Sequence, residues 1–376
     1  MPTTETRPID CLALAHELGP RFAARAAGHD ADDTFVADNY ADLRAHRAFS
    51  AGVPAELGGG GATYRELCEM LRLLAHSCSS TALALSMHTH ILASTVWRWR
   101  HQGAPVEPFL RRVAAEELVL VSTGGSDFLA GSGVAEKVEG GYRVTARKVF
   151  GSGSPGGHLL MTMAIYEDPK DGPTVLHFPV PLDAPGVKVL DNWRTLGMRA
   201  TGSNDILLQN VFVPDAAVGA RRTPGKWEPL FHVIYSVAFP LVYSAYLGVA
   251  EAARDIAVGL AGRRREDATT QMLAGELDTE LTVARLAVKS MIDAADTDRI
   301  DVGTVNAIVI GRTLAGRAVL RTCDKAMELG SGAGFYRATG LERLFRDAQA
   351  ARYHPLQEKP QALFTGRMAL GVDVND

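Results

Sequence analysis

Two histidines hold the positions from which proton chemistry is easiest to imagine. His354 is followed at once by Pro355, and His88 sits in the run Ser86-Met87-His88-Thr89-His90. An imidazole is the side chain whose ordinary pKa lets it donate or hold a proton near neutral pH. Each has a plainer reading: His354 as a satisfied histidine at a helix junction, with Pro355 as the first helical residue, and His88 as a core residue. His90 is two residues along and faces elsewhere. A second candidate is Gly124-Gly125-Ser126-Asp127, whose glycines let the backbone approach a ligand closely and whose Ser126 offers a hydroxyl and an amide. It reads equally as a turn. Arg263-Arg264-Arg265 is either a phosphate contact or a solvated helix end. The run Gly58 to Gly61 joins two helical patterns instead of following a strand, which argues against a phosphate loop. Cys11, Cys68, Cys78 and Cys323 form no CxxC pair and no disulfide framework. No metal site is expected, and a reducing, cytoplasmic setting is.

The elements that must position these groups fall into three zones. Residues 1–116 place apolar residues at spacings of three and four and read as an N-terminal helical domain. Residues 117–226 carry short runs such as ELVLVSTG, GYRVTARKVF and NDILLQNVFVP between Gly, Pro, Asp and Asn. They read as an antiparallel β-barrel or sandwich of six to eight strands, with Glu139-Gly140-Gly141-Tyr142 as a hairpin turn. Without βαβ alternation a Rossmann domain is excluded. Residues 227–376 return to long apolar-periodic segments and read as a C-terminal four-helix bundle. The overall class is α+β in three parts.

Composition excludes several partners. The 376 residues carry 39 basic and 43 acidic side chains for a net charge of −4, which leaves no electrostatic footprint for nucleic acid or an anionic membrane. Pro229 to Ala250 holds no Asp, Glu, Lys or Arg. Its two prolines, histidine, serines and tyrosines predict a buried core helix over a membrane span. The N-terminus lacks a secretory apolar region, so no targeting segment is expected.

Three stretches, in order along the chain, resemble the acyl-CoA dehydrogenase superfamily. The first is Ser122 to Asp127 followed by Lys148-Val149-Phe150-Gly151-Ser152-Gly153. The second is Trp193-Arg194-Thr195-Leu196-Gly197-Met198-Arg199-Ala200-Thr201-Gly202-Ser203. The third is Gly332-Ala333-Gly334-Phe335 leading to Leu341-Glu342-Arg343-Leu344-Phe345-Arg346-Asp347-Ala348. The resemblance implies a flavin, FAD or FMN, and a homotetramer or homodimer whose neighbouring subunit completes the cofactor site. It implies that Thr123, Gly125 and Ser126 bond the flavin's pyrimidine edge and that Phe150 and Ser152 flank the ring. Arg199 would lie near the ring or its phosphate, with Arg263, Gly332 and Gly334 as further cofactor contacts.

The departures from the family pattern bear on the reaction. The family's usual catalytic glutamate falls nine residues beyond the arginine of Arg346-Asp347-Ala348, which here is Pro355. Its less common placement, ten residues before Gly248, is Ala238. Neither is an acid. Glu358, three residues beyond Pro355, is rotated about 60° from that position on a helical step of ~100° per residue. The family's Arg-Phe-Gly early in the bundle is also absent, with only Arg263 to Arg265 near that place. His-Pro after Arg-Asp resembles the branch that holds flavin-dependent monooxygenases, which oxygenate sulfur compounds, phenols and amino sugars. Those enzymes take reduced flavin from a separate reductase and form a C4a-hydroperoxyflavin. The resemblance makes His354 and His88 the catalytic candidates, His88 from the helix that lines the pocket. Phe231, Tyr235, Phe239 and Tyr243 line an apolar cavity or, at spacing four, are simply core.

Three functions follow. The first is a two-component flavin monooxygenase acting on a small molecule. The second is an FAD-dependent acyl-thioester dehydrogenase with a displaced base such as Glu358. The third is a catalytically inactive flavin-fold binding protein.

Overall fold

A computed structural model describes residues 9–376; the expectation about the extreme N-terminus falls partly on residues 1–8, outside the described residues. Five helices come first: α1 (Cys11–Asp32), α2 (Ala37–Ala45), α3 (Tyr64–Ser77), α4 (Ser79–Gln102) and α5 (Glu107–Glu116). Local chemistry sets their starts. The Asp10 carboxylate accepts from the Leu12 and Ala13 amides at 3.1 and 2.9 Å, and Thr63 with Glu66 closes a reciprocal capping box on α3.

Eight strands follow: β1 (Leu120–Ser122), β2 (Val134–Val138), β3 (Gly141–Gly151), β4 (Leu159–Asp168), β5 (Gly172–Pro181), β6 (Val187–Val189), β7 (Asn204–Pro214) and β8 (Ala220–Arg222). The expected hairpin is present: Val138 pairs with Gly141, and Gly140 takes φ +72°. Two features differ from a purely antiparallel barrel. The sheet runs β6-β7-β3-β2-β4-β5-β8 and does not close, and both β1 and β2 pair with β4 in parallel. The physical reason is that residues 123–133 leave β1, cross as a loop and return as β2, placing two parallel neighbours along one strand. No helix occupies that crossover.

The C-terminal part holds α6 (Pro229–Ala261), α7 (Ala268–Ala295), α8 (Val302–Gly334), α9 (Leu341–Ala348) and α10 (Glu358–Ala369). Three are long, while the fourth segment of the expected bundle splits into α9 and α10. α6 is long and apolar enough to cross a membrane, yet 94% of its most apolar stretch is buried inside the protein. It packs against α7 and α8 on one side and α3 and α4 on the other. One apolar cluster therefore runs from Cys11 through Leu71, Tyr246 and Val319 to Phe364, joining the first and last helical zones. The sheet keeps its own cluster around Val144, Leu160, Leu176 and Ile206.

Candidate functional site

The loop after β1 carries the first group. Thr123 Oγ1 lies 2.8 Å from Thr162 Oγ1 on β4, and the Thr123 amide donates to the Met161 carbonyl at 3.3 Å. Gly124 takes φ +117°, a conformation that strains any other residue, and a Cβ there would push aside the Met163 Cε methyl 2.7 Å away. Gly125 and Ser126 are exposed, with nothing within 4 Å of the place a Gly125 side chain would occupy. Below the loop, the buried Lys148 ammonium on β3 donates to Asp127 Oδ2 at 3.0 Å, to the Ser132 carbonyl at 2.8 Å and to Ser132 Oγ at 2.9 Å. Arg222 on β8 reaches the carbonyls of Phe128 and Leu129. The loop is thus tied from beneath while its glycine-serine crest stays open.

Beside it, Phe150 is 49% exposed and sits at φ +59°, a conformation that costs a non-glycine residue about 1–2 kcal/mol. Its ring meets Trp193 edge-to-face with centroids 6.0 Å apart. Ser152 Oγ lies 2.8 Å from Ser203 Oγ, which lies 2.7 Å from Thr201 Oγ1. An uncovered aromatic ring, an open glycine crest and a short hydroxyl chain fit a flat, polar-edged ring system such as flavin. Trp193 enters this group by structure; its place in the second family-like stretch was the signal for it.

Four other expected contacts sit elsewhere or are otherwise engaged. Arg199 donates to the Thr195 carbonyl at 3.1 Å and pairs with Asp33 at 3.7 Å, so its guanidinium braces its own loop against α1. Arg263 is exposed at the end of α6, and Arg264 beside it donates to the Leu329 carbonyl at 2.7 Å. Gly332 is open, whereas a Cβ at Gly334 would stand 2.9 Å from Leu341 Cδ2, so this glycine serves packing. Arg263, Gly332 and Gly334 gather at the far end of the bundle, without contact in this chain to the Phe150 group.

The histidines separate clearly. His88 is fully buried; its Nε2 is 2.7 Å from the Phe49 carbonyl and its Nδ1 accepts from the Leu120 amide at 3.0 Å. Both nitrogens are committed to backbone, and burial pushes its pKa down to about 4. In this arrangement His88 joins β1 to the N-terminal helices. His90, on the opposite side of α4, spends Nδ1 on the Ser86 carbonyl at 3.2 Å and leaves Nε2 free. It lies near enough for its charge to disfavour protonation of His354. His90 thus keeps one ring nitrogen without a partner among the described residues, where His88 keeps none, a distinction that spacing of two along a helix could not decide.

His354 is half-buried, with Nε2 2.7 Å from Tyr246 Oη on α6. Burial, then the Arg312 guanidinium and His90, push its pKa down to about 3. These effects favour the neutral imidazole over the cation. No carboxylate bonds to it. Glu358 instead pairs with Arg317 at 2.8 Å, which holds it below the usual carboxylate range. Asp347 is buried and accepts from Ser79 Oγ and the Met198 amide, tying α9 to α4 and to the Trp193 loop. A stack of rings connects the two halves of the site. Phe128 meets Tyr235 at 5.2 Å, followed by Phe239 at 5.0 Å, Tyr243 at 6.4 Å, Tyr246 at 5.5 Å and His354 at 5.4 Å. Four of the rings lie on α6 at helical spacing, so they form a wall that is also core.

Comparison with known proteins agrees with this geometry. Residues 15–104 match the acyl-CoA dehydrogenase N-terminal domain and residues 240–354 the C-terminal domain. L-evernosamine nitrososynthase of a Micromonospora species is 29% identical over 94% of this chain and 88% of its own. The crystal structure of KijD3 with FMN and dTDP-3-amino-2,3,6-trideoxy-4-keto-3-methyl-D-glucose superposes with a TM-score of 0.88 at 28% identity, covering 100% of this chain and 98% of that one. A second KijD3 structure, with dTDP, is 30% identical over 97% of this chain and 98% of its own, with a TM-score of 0.85. Dibenzothiophene monooxygenase of Rhodococcus erythropolis is 26% identical over 92% of this chain and 89% of its own. In fold, in the order of its motifs and in the likeness of its relatives, the chain belongs to the acyl-CoA dehydrogenase family of flavin-dependent enzymes.

Proposed function

We propose that this protein is a two-component flavin monooxygenase that oxygenates the nitrogen of a small amino compound, with amino sugars as the leading class. The observation that carries this reading is the surroundings of His354. His354 adjoins the position, Pro355, that matches the family's usual catalytic glutamate, neither Pro355 nor Ala238 is an acid, and Glu358 is held by Arg317. The nitrogen preference rests on likeness to amino-sugar nitrososynthases.

Thr123, Gly125 and Ser126 would hold the polar edge of the flavin, with Phe150, Trp193 and Ser152 beside its ring. Reduced flavin, FMN or FAD, would supply two electrons and two protons to dioxygen, so that one oxygen atom joins the amine as a hydroxylamine and the other leaves as water. His354 gives a hydrogen bond to the oxygen being transferred. His90 offers its Nε2 lone pair to the substrate N–H. The ring wall of Tyr235, Phe239 and Tyr243 excludes water from one side of the site. Among the described residues there is no βαβ unit to take a nicotinamide dinucleotide, which favours a separate reductase as partner. The absence of a hydrogen bond or ring contact between the Phe150 group and the Arg263–Gly332 group among the described residues leaves room for a second copy of the chain to complete the cofactor site.

The test supplies the protein with FMN or FAD, a flavin reductase, a nicotinamide donor and a dTDP-amino sugar under ¹⁸O₂. Product carrying one labelled oxygen on nitrogen supports the reading. Anaerobic bleaching of bound FAD by an acyl-CoA, with enoyl product, refutes it.

A further inference from the structure

The Tyr246–His354 pair admits one proton arrangement that leaves the buried phenol hydrogen paired. Tyr246 Oη lies 2.7 Å from His354 Nε2 and has no other partner among the described residues. Burial pushes the Tyr246 phenol far above its ordinary value, so it keeps its proton. That hydrogen has one acceptor in reach, the Nε2 lone pair. The ring's own proton is then on Nδ1. The reverse assignment would turn the buried hydroxyl hydrogen into an apolar wall. His354 Nδ1 has no partner among the described residues and is not one of the sealed-in polar atoms, so it faces the open side.

The backbone of the same residue is clamped independently. Arg312 is fully buried on α8 and has no carboxylate partner among the described residues. Its Nη2 donates to the carbonyls of Ala351, Arg352 and His354 at 3.1, 3.2 and 2.6 Å. Its guanidinium sits 5.5 Å from the Tyr243 ring centroid, and Tyr243 Oη donates to the Ala351 carbonyl at 2.8 Å. The charged groups felt at His354 are Arg312 on α8 and His90 on α4; its ring neighbours Tyr246 and Tyr243 on α6 feel Asp347 on α9 and Glu358 at the start of α10. The cation nearest the ring is fixed in place, and both neighbouring carboxylates are bound to other groups.

We infer that Tyr246 and Arg312 are positioning residues that hold His354 as a neutral Nδ1–H donor facing the open side of the site, so that it gives a hydrogen bond and takes no proton. The inference rests on the proposed function for its chemical meaning, but its test does not require turnover. In the ¹⁵N spectrum of histidine-labelled full-length protein, His354→Gln identifies the His354 signals. The expected pattern is a protonated Nδ1 and an unprotonated Nε2, unchanged between about pH 8 and pH 5. Tyr246→Phe, which keeps the ring and its packing, should give a mixture of tautomers and lower kcat about 5- to 10-fold, the worth of one hydrogen bond, with KM little changed. Arg312→Met should make the ring begin to titrate at a higher pH than in the wild type, and Arg312→Lys should restore most of the wild-type pattern. An Nε2–H tautomer in the wild type, or a ring titrating near its ordinary pKa, overturns the inference whatever the enzyme oxygenates. The expected spectrum without oxygenation of any amine overturns the proposed function and leaves the tautomer assignment standing.

Discussion

Replacing Lys148 with methionine isolates what holds the Gly125–Ser126 crest in place. The ammonium is 1% exposed and makes three contacts within 3.0 Å, to Asp127 Oδ2, Ser132 Oγ and the Ser132 carbonyl. Methionine keeps the apolar stem but strands a carboxylate and a carbonyl. Removing one member of a buried pair costs about 3–5 kcal/mol. Asp127 retains 17% exposure and its bond from Ser132, so water and the serine offset part of that loss. About 3 kcal/mol is the expected destabilisation. Asp127→Asn measures the same contact from the other side, and the double-mutant cycle should give a coupling of about 2 kcal/mol, well above the ~0.5 kcal/mol scatter of independent sites. The assay is urea unfolding, in parallel with titration of flavin into each variant. Flavin affinity should fall along with stability, because Asp127 follows Ser126 directly. A coupling under about 0.5 kcal/mol, or flavin affinity untouched by a destabilised variant, would refute the idea that this ion pair carries the loop.

Phe150→Ala removes a half-exposed ring at positive φ, so unfolding stability should shift by under about 1 kcal/mol while flavin affinity drops roughly tenfold, as read by fluorescence quenching. His88, with its folded pKa lowered to about 4, binds fewer protons than the unfolded chain between pH 6.5 and 4. The stability tied to its neutral state is present above pH 6.5 and is lost as pH falls toward 4, by up to ~1.4 kcal/mol per pH unit. His88→Asn should flatten the profile of urea midpoints across that window; an unchanged profile counts against the assignment. Gly197→Ala places a Cβ 2.2 Å from the Arg346 carbonyl, and the loop must move away from α9. A loss of more than about 2 kcal/mol in thermal or urea unfolding is expected, and a neutral effect would mean the contact is not rigid.

Much of the scaffold was legible because its signals are local. Helical periodicity, the Gly140 turn and the alternating β3 strand depend on neighbours a few residues apart. The uncharged stretch from Pro229 marked a buried helix for the same reason. Parallel pairing of β1 and β2 with β4 was not legible, since nothing in a three-residue strand states its partner. In the site, Phe150 and Ser126 could be nominated from their motif. The fates of His88 and His90 could not, because the Phe49 carbonyl and the Leu120 amide that satisfy His88 lie 39 and 32 residues away. The lowering of the His354 pKa was not legible either, because it comes first from burial and then from Arg312, which approaches from another helix.

The apolar cluster that joins the first and last helical zones has a cost during synthesis. Leu71 and Leu85 on α3 and α4 pack against α6, whose Tyr246 follows Leu71 by 175 residues. At the ribosomal pace of about 5–20 residues per second, those faces wait roughly 10–35 s for the helix that covers them. The nascent N-terminal helices are therefore a natural client for chaperones, and slow translation before α6 would tax the yield of this protein more than slow translation after it.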